Sequence, residues 1–187
     1  MSERWFFALW PDPAVRAALA EPLPDLVPER ERARATHPLD LHLTLVFLGE
    51  LTPDRLRCVE AAATDIGAPA FALSLDRLGY FARSRILWRG PTSIPSPLRM
   101  LVLTLQERLQ ACGIAPEQRP YRPHMTLARK VRVPQPAVSS APVEWAVSDF
   151  VLAAGREGAV PRYEIRQRWM LDARANPRER LEQHPDK

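Results

Sequence analysis

The sequence predicts an α+β fold with antiparallel sheets, built as two lobes about an approximate twofold. Three observations lead there. Strand and helix segments are mixed without strict β-α alternation. One order of elements occurs twice: apolar strand, capped helix, Pro/Arg-rich loop, strand carrying His-x-Thr. The spacing also repeats, with 37 positions from Trp5 to His42 and 38 from Ile86 to His124. Residue identity between the halves is low outside the His-x-Thr frames, so the repeat lies in order and spacing. Such lobes set His42 and His124 on opposite sides of a central cleft, with helices outside.

Each element has a local reason. Trp5 to Trp10 is short and aromatic and reads as a buried strand. Asp12 and Pro13 suit an N-cap and first helical residue, and the helix through Ala20 stops at Pro22 and Pro24. Residues 21–40 carry Arg30, Arg32 and Arg34 with little periodicity and read as a long basic loop, either a substrate-side loop with Arg32 and Arg34 as its candidate contacts or a solvated connector. A strand over 41–48 ends at Gly49. Thr52-Pro53-Asp54 opens a helix with an apolar stripe at Leu56, Val59, Ala63 and Ile66, closed by Gly67 and Pro69.

Phe71, Leu73 and Leu75 alternate as in a half-exposed strand, and Arg85 to Arg89 is a further strand, broken by Gly90 and Pro91. Ser96-Pro97 is expected to cap a third helix, buried along Leu98, Leu101, Val102, Leu105, Leu109 and Cys112 and ended by Gly113. The second His-x-Thr strand spans 123–129. Residues 132–142 lack a pattern and read as a loop. Glu144 to Ala153 and Arg162 to Leu171 are the last two strands, joined by a turn containing Gly155 and Gly158. Residues 1–171 are expected to form one bilobal domain, and 172–187, charged and pattern-free, a flexible tail.

Composition narrows the class. With 187 residues, 46% hydrophobic and 26% charged, the chain is long enough for one domain with a proper core. The formal charge of +4 is carried almost wholly by arginine, since lysine occurs only at Lys130 and Lys187. Arginine grips phosphate in a bidentate fork, but +4 is too small to imply tight nucleic-acid binding by charge alone. Cys58 and Cys112 fill apolar helix positions without a Cys-x-x-Cys partner and are expected to be reduced, as in a cytoplasmic protein. Met1 to Trp10 has no basic region followed by an apolar stretch long enough for a signal peptide, and no run reaches the ~18 apolar residues of a membrane span, so a cytoplasmic location is expected.

Chemistry concentrates in Leu41-His42-Leu43-Thr44-Leu45 and Pro123-His124-Met125-Thr126-Leu127. Residues two apart on a strand share a face, so each imidazole has a hydroxyl beside it. A lone histidine in an apolar strand is more often structural, and a lone threonine is ordinary there. Two of the four histidines in matching frames are another matter, because a buried polar group needs a partner each time it is used. Two imidazoles with hydroxyls suit proton transfer around an anionic phosphate.

The stretches "LHLTLVFLGE" and "RPYRPHMTLAR", with "RWFFALWPD" and "RILWRGP", resemble the 2H phosphoesterase superfamily and its bacterial and archaeal RNA 2′,3′-cyclic phosphodiesterases, first described as 2′-5′ RNA ligases. The resemblance runs from about Arg4 to Leu171. It implies two antiparallel sheets around the cleft and a site without metal or cofactor. It also implies hydrolysis of a ribose 2′,3′-cyclic phosphate to a 2′-phosphomonoester. By position, His42 would be the general acid and His124 the general base. Thr44 and Thr126 would hydrogen-bond phosphate oxygens, and Arg129 would contact the phosphate. The implied partners are RNA ends or nucleotides bearing the cyclic phosphate, taken by a monomer. Arg129 lies an odd number of residues beyond His124, so it shares the histidine's face only if the strand ends, bulges or twists. A metal enzyme using both histidines as ligands, a non-catalytic nucleotide-binding module and a 2′-5′ ligase are the rival functions.

Overall fold

The computed structural model describes residues 3–22, 33–64, 66–132 and 141–173. Its architecture is the expected α+β, with antiparallel pairing throughout both sheets. One four-stranded arm has the order β10 (Tyr163–Met170), β9 (Asp149–Gly155), β1 (Arg4–Leu9) and β3 (Leu43–Glu50). The other arm is β7 (Met125–Arg129), β6 (Ile86–Gly90) and β5 (Arg77–Phe81), with β2 (Arg34–Ala35) added beside β7. The arms meet through one residue pair, Leu43 opposite Met125. These residues directly follow His42 and His124. Equivalent residues facing each other in an antiparallel pair are what a twofold axis requires, so the pseudo-dyad passes there.

A separate two-stranded sheet pairs β4 (Phe71–Leu75) with β8 (Val143–Val147). The buried Arg89 guanidinium ties it to the large sheet by donating to the carbonyls of Leu75 and Ala141.

Alternation decides which face of the large sheet is covered. Leu41, Leu43, Leu45, Met125 and Leu127 point into the main core with Trp5, Phe7 and Leu9. The helices supply its other side: Val15 and Leu19 from α1 (Pro13–Ala20), Val59 and Ala63 from α2 (Pro53–Ala63), and Leu98 to Leu109 from α3 (Ser96–Gln110). The opposite face, with His42, Thr44, His124 and Thr126 between the core positions, is left for the cleft.

Several expectations need correction. Each histidine stands one residue ahead of its strand. Asp12 and Thr52 cap as expected, accepting from Val15 N at 2.9 Å and Arg55 N at 3.4 Å, but α3 starts after Pro95 with no side-chain cap. α2 ends at Ala63, and Ile66 reaches the core from the connection. The segment 144–153 is two strands in two sheets, divided at Ser148. β2 and β5 were not anticipated; β5 holds a glycine and lacks an apolar alternation. Gly90 belongs to β6. Cys58 and Cys112 are not reduced: they form a disulfide, with Cα atoms 5.7 Å apart, between α2 and the end of α3. Helix packing brings them together across 54 positions, which no local spacing announces. Asp172 is held by backbone bonds to Ala68 and Ala70. Arg30, Arg32 and residues 174–187 lie outside the described residues. Among the described residues, no helix is long and apolar enough to cross a membrane.

Candidate active site

The two histidines are held alike. His42 Nδ1 lies 2.7 Å from the Asp40 carbonyl, and His124 Nδ1 lies 2.8 Å from the Arg122 carbonyl. A carbonyl only accepts, so Nδ1 carries the hydrogen in both rings. That assigns Nε2 as the nitrogen left to take or deliver a proton.

Aromatic rings fix the imidazoles from the sides. His42 stacks on Trp10 at 5.3 Å, contacts Phe6 at 4.8 Å and meets Tyr163 edge-on at 4.9 Å. His124 meets Phe81 edge-on at 5.1 Å and Trp88 at 6.2 Å. Asp40 joins His42 to a distant strand. Its carbonyl holds the ring, while its buried carboxylate accepts from the backbone N–H groups of Arg162 at 2.8 Å and Tyr163 at 3.2 Å. Tyr121 donates to the Thr44 carbonyl at 3.0 Å, bracing the first-motif strand from the second lobe.

The predicted residues converge. His42, Thr44 and Arg129 line one cavity of ≈ 570 Å³ together with Arg4, Arg162 and Tyr163. Thr44 also lines the neighbouring hollow that holds His124, and Thr126 shares a further one with His42 and Arg129. Arg34, the described one of the two loop arginines singled out, is exposed and lines that last hollow.

Arg129 reaches His42's side because β7 bulges. Opposite β6, Leu87 pairs with Ala128 and Trp88 with Thr126, leaving Leu127 as the extra residue. This reverses the alternation beyond Thr126 and returns Arg129 to the cleft face. Among the described residues, no group of three or more His, Cys, Asp and Glu side chains is placed to hold a metal ion.

Asp40, Tyr121, Tyr163 and the ring partners Phe6 and Trp10 were not singled out from sequence. The signal for Asp40 was an acid inside Leu39-Asp40-Leu41; its partner lies 122 residues away.

Burial pushes the His42 pKa from 6.5 down to about 4; Asp40 opposes this through its carbonyl and its charge, while Arg129 and His124 add to the lowering. The folded ring therefore resists the proton that the unfolded chain accepts. Stability linked to His42 is whole above pH ~6.5, falls as pH drops toward ~4, and is lost below that, amounting to at most about 3 kcal/mol. We expect His42→Gln to flatten the fall in unfolding free energy between those pH values relative to the parent. Equal slopes in chemical denaturation would contradict the burial of this ring.

The comparisons with known proteins agree with this geometry. A family model described as the 2′-5′ RNA ligase superfamily matches residues 11–159. The chain belongs to this superfamily. It is 34% identical to an Escherichia coli protein named RNA 2′,3′-cyclic phosphodiesterase, over 71% of this chain and 76% of that one. A Thermus thermophilus protein of the same name is 32% identical over 90% of each chain. Among solved structures, one titled phosphoesterase superposes with a TM-score of 0.83 at 30% identity, covering 92% of this chain and 99% of that one. The E. coli LigT complex with 3′-AMP gives 0.79 at 31%, covering 91% and 99%. This superfamily member thus shares fold and sequence with relatives along most of its length.

Proposed function

We propose that this chain hydrolyses RNA or nucleotide 2′,3′-cyclic phosphates to 2′-phosphomonoesters, with His42 and His124 as a metal-independent acid–base pair. The observation that carries the reading is the matched pair of imidazoles. Each is held through Nδ1 on the carbonyl two residues back, and the cavities they line also hold Thr44, Thr126 and Arg129.

Water attacks phosphorus in line with the departing 3′ oxygen. The base takes a proton from the water, the P–O3′ bond breaks, and the acid protonates O3′. Each positioned proton transfer is worth roughly 10²–10⁴-fold. The Arg129 guanidinium and the two threonine hydroxyls stabilise the charged equatorial oxygens. In the assignment the resemblance implies, His42 is the acid and His124 the base. Since burial keeps free His42 neutral, the entering phosphate anion supplies the charge that lets it hold a proton. A 3′-thio substrate, whose leaving sulfur needs no proton, should restore turnover selectively to the variant lacking the acid.

The decisive experiment is incubation with 2′,3′-cyclic AMP in the presence of a strong chelator. The expected product is 2′-AMP; 3′-AMP, or activity removed by the chelator, would overturn the reading. The superfamily description also favours 2′-5′ ligation at the same site, in which a ribose 5′-hydroxyl replaces water as the attacking group while the P–O3′ bond breaks; the ratio of ligation to hydrolysis measures it. The same proposal takes residues 1–171 as one bilobal domain, to which Asp172 is tied by its backbone bonds to Ala68 and Ala70. Because one chain supplies every group named, it is proposed to act as a monomer. Cytoplasmic residence rests on the RNA substrate alone, the disulfide having removed the support drawn from the cysteines.

A further inference from the structure

Each histidine hangs on the carbonyl two residues before it, so Asp40 and Arg122 are counterparts across the pseudo-dyad. Their side chains are opposite in charge and in setting. Arg122 is exposed, whereas Asp40 is 2% exposed and closes the 3₁₀ turn Pro38–Asp40. The mooring of Asp40 does not require its charge. The N–H groups of Arg162 and Tyr163 both donate to the same oxygen, Oδ1. The oxygen of a carboxamide would accept both bonds as well. A buried carboxylate costs free energy that a neutral acceptor of the same shape avoids, so the charge calls for a use beyond the mooring.

The surroundings of His42 supply that use. Arg4, Arg129 and Arg162 line its cavity, and Arg34, His37 and Lys130 line the hollow it shares with Thr126. None of these side chains carries negative charge. Among the described residues, Asp40 is the only acid lining that hollow, and Glu157 at the other cavity is exposed to solvent. We infer that Asp40 is a positioning residue for His42, its carbonyl fixing the ring through Nδ1 and its buried carboxylate favouring the ring that carries a proton to deliver. This rests on the reading that His42 is the acid of cyclic-phosphate hydrolysis. Burial acts most strongly on this ring and disfavours its proton, and Arg129 and His124 add to that; the carbonyl and charge of Asp40 oppose them. On the other arm, Arg122 shares two hollows with His124 and puts a cation at the equivalent place, which suits a ring that must be neutral to accept a proton.

The test separates charge from mooring: Asp40→Asn removes the first and keeps the second, while Asp40→Ala removes both. An opposite charge beside a titrating group is worth about one pH unit or more, about tenfold in the protonated fraction. In Asp40→Asn, kcat on 2′,3′-cyclic AMP should therefore fall about tenfold with KM little changed. The 3′-thio substrate, whose sulfur leaves without a proton, should be turned over at close to the parent rate. Asp40→Ala should add a rise in KM, because Arg162 and Tyr163 are released from their anchor. The readout that needs no turnover is the titration of the His42 ring by NMR, in sulfate as an anion of constant charge. In Asp40→Asn it should lie about one pH unit below the parent. An unmoved titration overturns the inference whatever the rates, and so does an Asp40→Asn chain that fails to fold, since the charge would then belong to the mooring. If the parent hydrolyses neither substrate, the hydrolytic reading fails while the titration still decides the role of Asp40.

Discussion

Alanine in place of His42 or His124 is expected to lower kcat on 2′,3′-cyclic AMP by roughly 10²–10⁴-fold in each case, because each removes one positioned proton transfer. The double variant should fall well short of the product of the two losses, since a base without its acid is already largely idle. Both single variants should fold. His42 is anchored by one hydrogen bond and ring contacts, and His124 by an equivalent bond at the cleft edge. Circular dichroism and a thermal melt check the fold; steady-state kinetics check the loss. A rate within a fewfold of the parent in either variant would remove that ring from the chemistry and leave the shared cleft without its proposed purpose.

Gly90→Ala is expected to damage the site from behind. A Cβ built at Gly90 would lie 2.5 Å from the Pro123 carbonyl oxygen and 3.5 Å from the His124 Cα. The first contact is with backbone that cannot rotate away, directly before the second His-x-Thr strand. Overpacking of this kind costs roughly 1–3 kcal/mol. If relief comes by shifting Pro123, His124 moves with it, and a displacement of ~1 Å can cost ~10²-fold in rate. The expected result is a lower urea midpoint together with a kcat/KM reduced more than tenfold. Gly67→Ala is the control, since its Cβ would meet nothing closer than 3.9 Å. Equal midpoints and equal rates in the two variants would show that Gly90 does not set the approach of the strands.

Much of this was legible because it is local. Alternation placed Leu43 and Leu45 on one face and His42 and Thr44 on the other, and the structure keeps that division. Helical stripes named Val59, Ala63 and Leu98 through Leu109 as core. The division at Ser148 was missed: positions facing the main core run Val143, Trp145, Val147 and then Phe150, Leu152, Ala154, but Val151 and Ala153 are buried on the other face, so the change of phase is hidden in a continuous apolar run. Arg129 is the opposite case. Parity put it on the wrong face, and only the paired strand reveals the extra residue at Leu127 that turns it round. Nor does any local rule connect the Asp40 carboxylate to the amides of Arg162 and Tyr163, or Cys58 to Cys112.

The amino-acid order alone determined the two His-x-Thr frames, their recurrence at matching distance, and the apolar faces that bury one side of each strand. These follow from periodicity and side-chain chemistry, which act over a few residues. The tertiary structure decided the rest: that Leu43 meets Met125 and so joins the arms, that Arg129 turns into the cleft beside His42, and that aromatic rings close on His42 and hold it neutral. Each depends on which distant strands lie side by side, and register between strands is set by packing across the whole sheet.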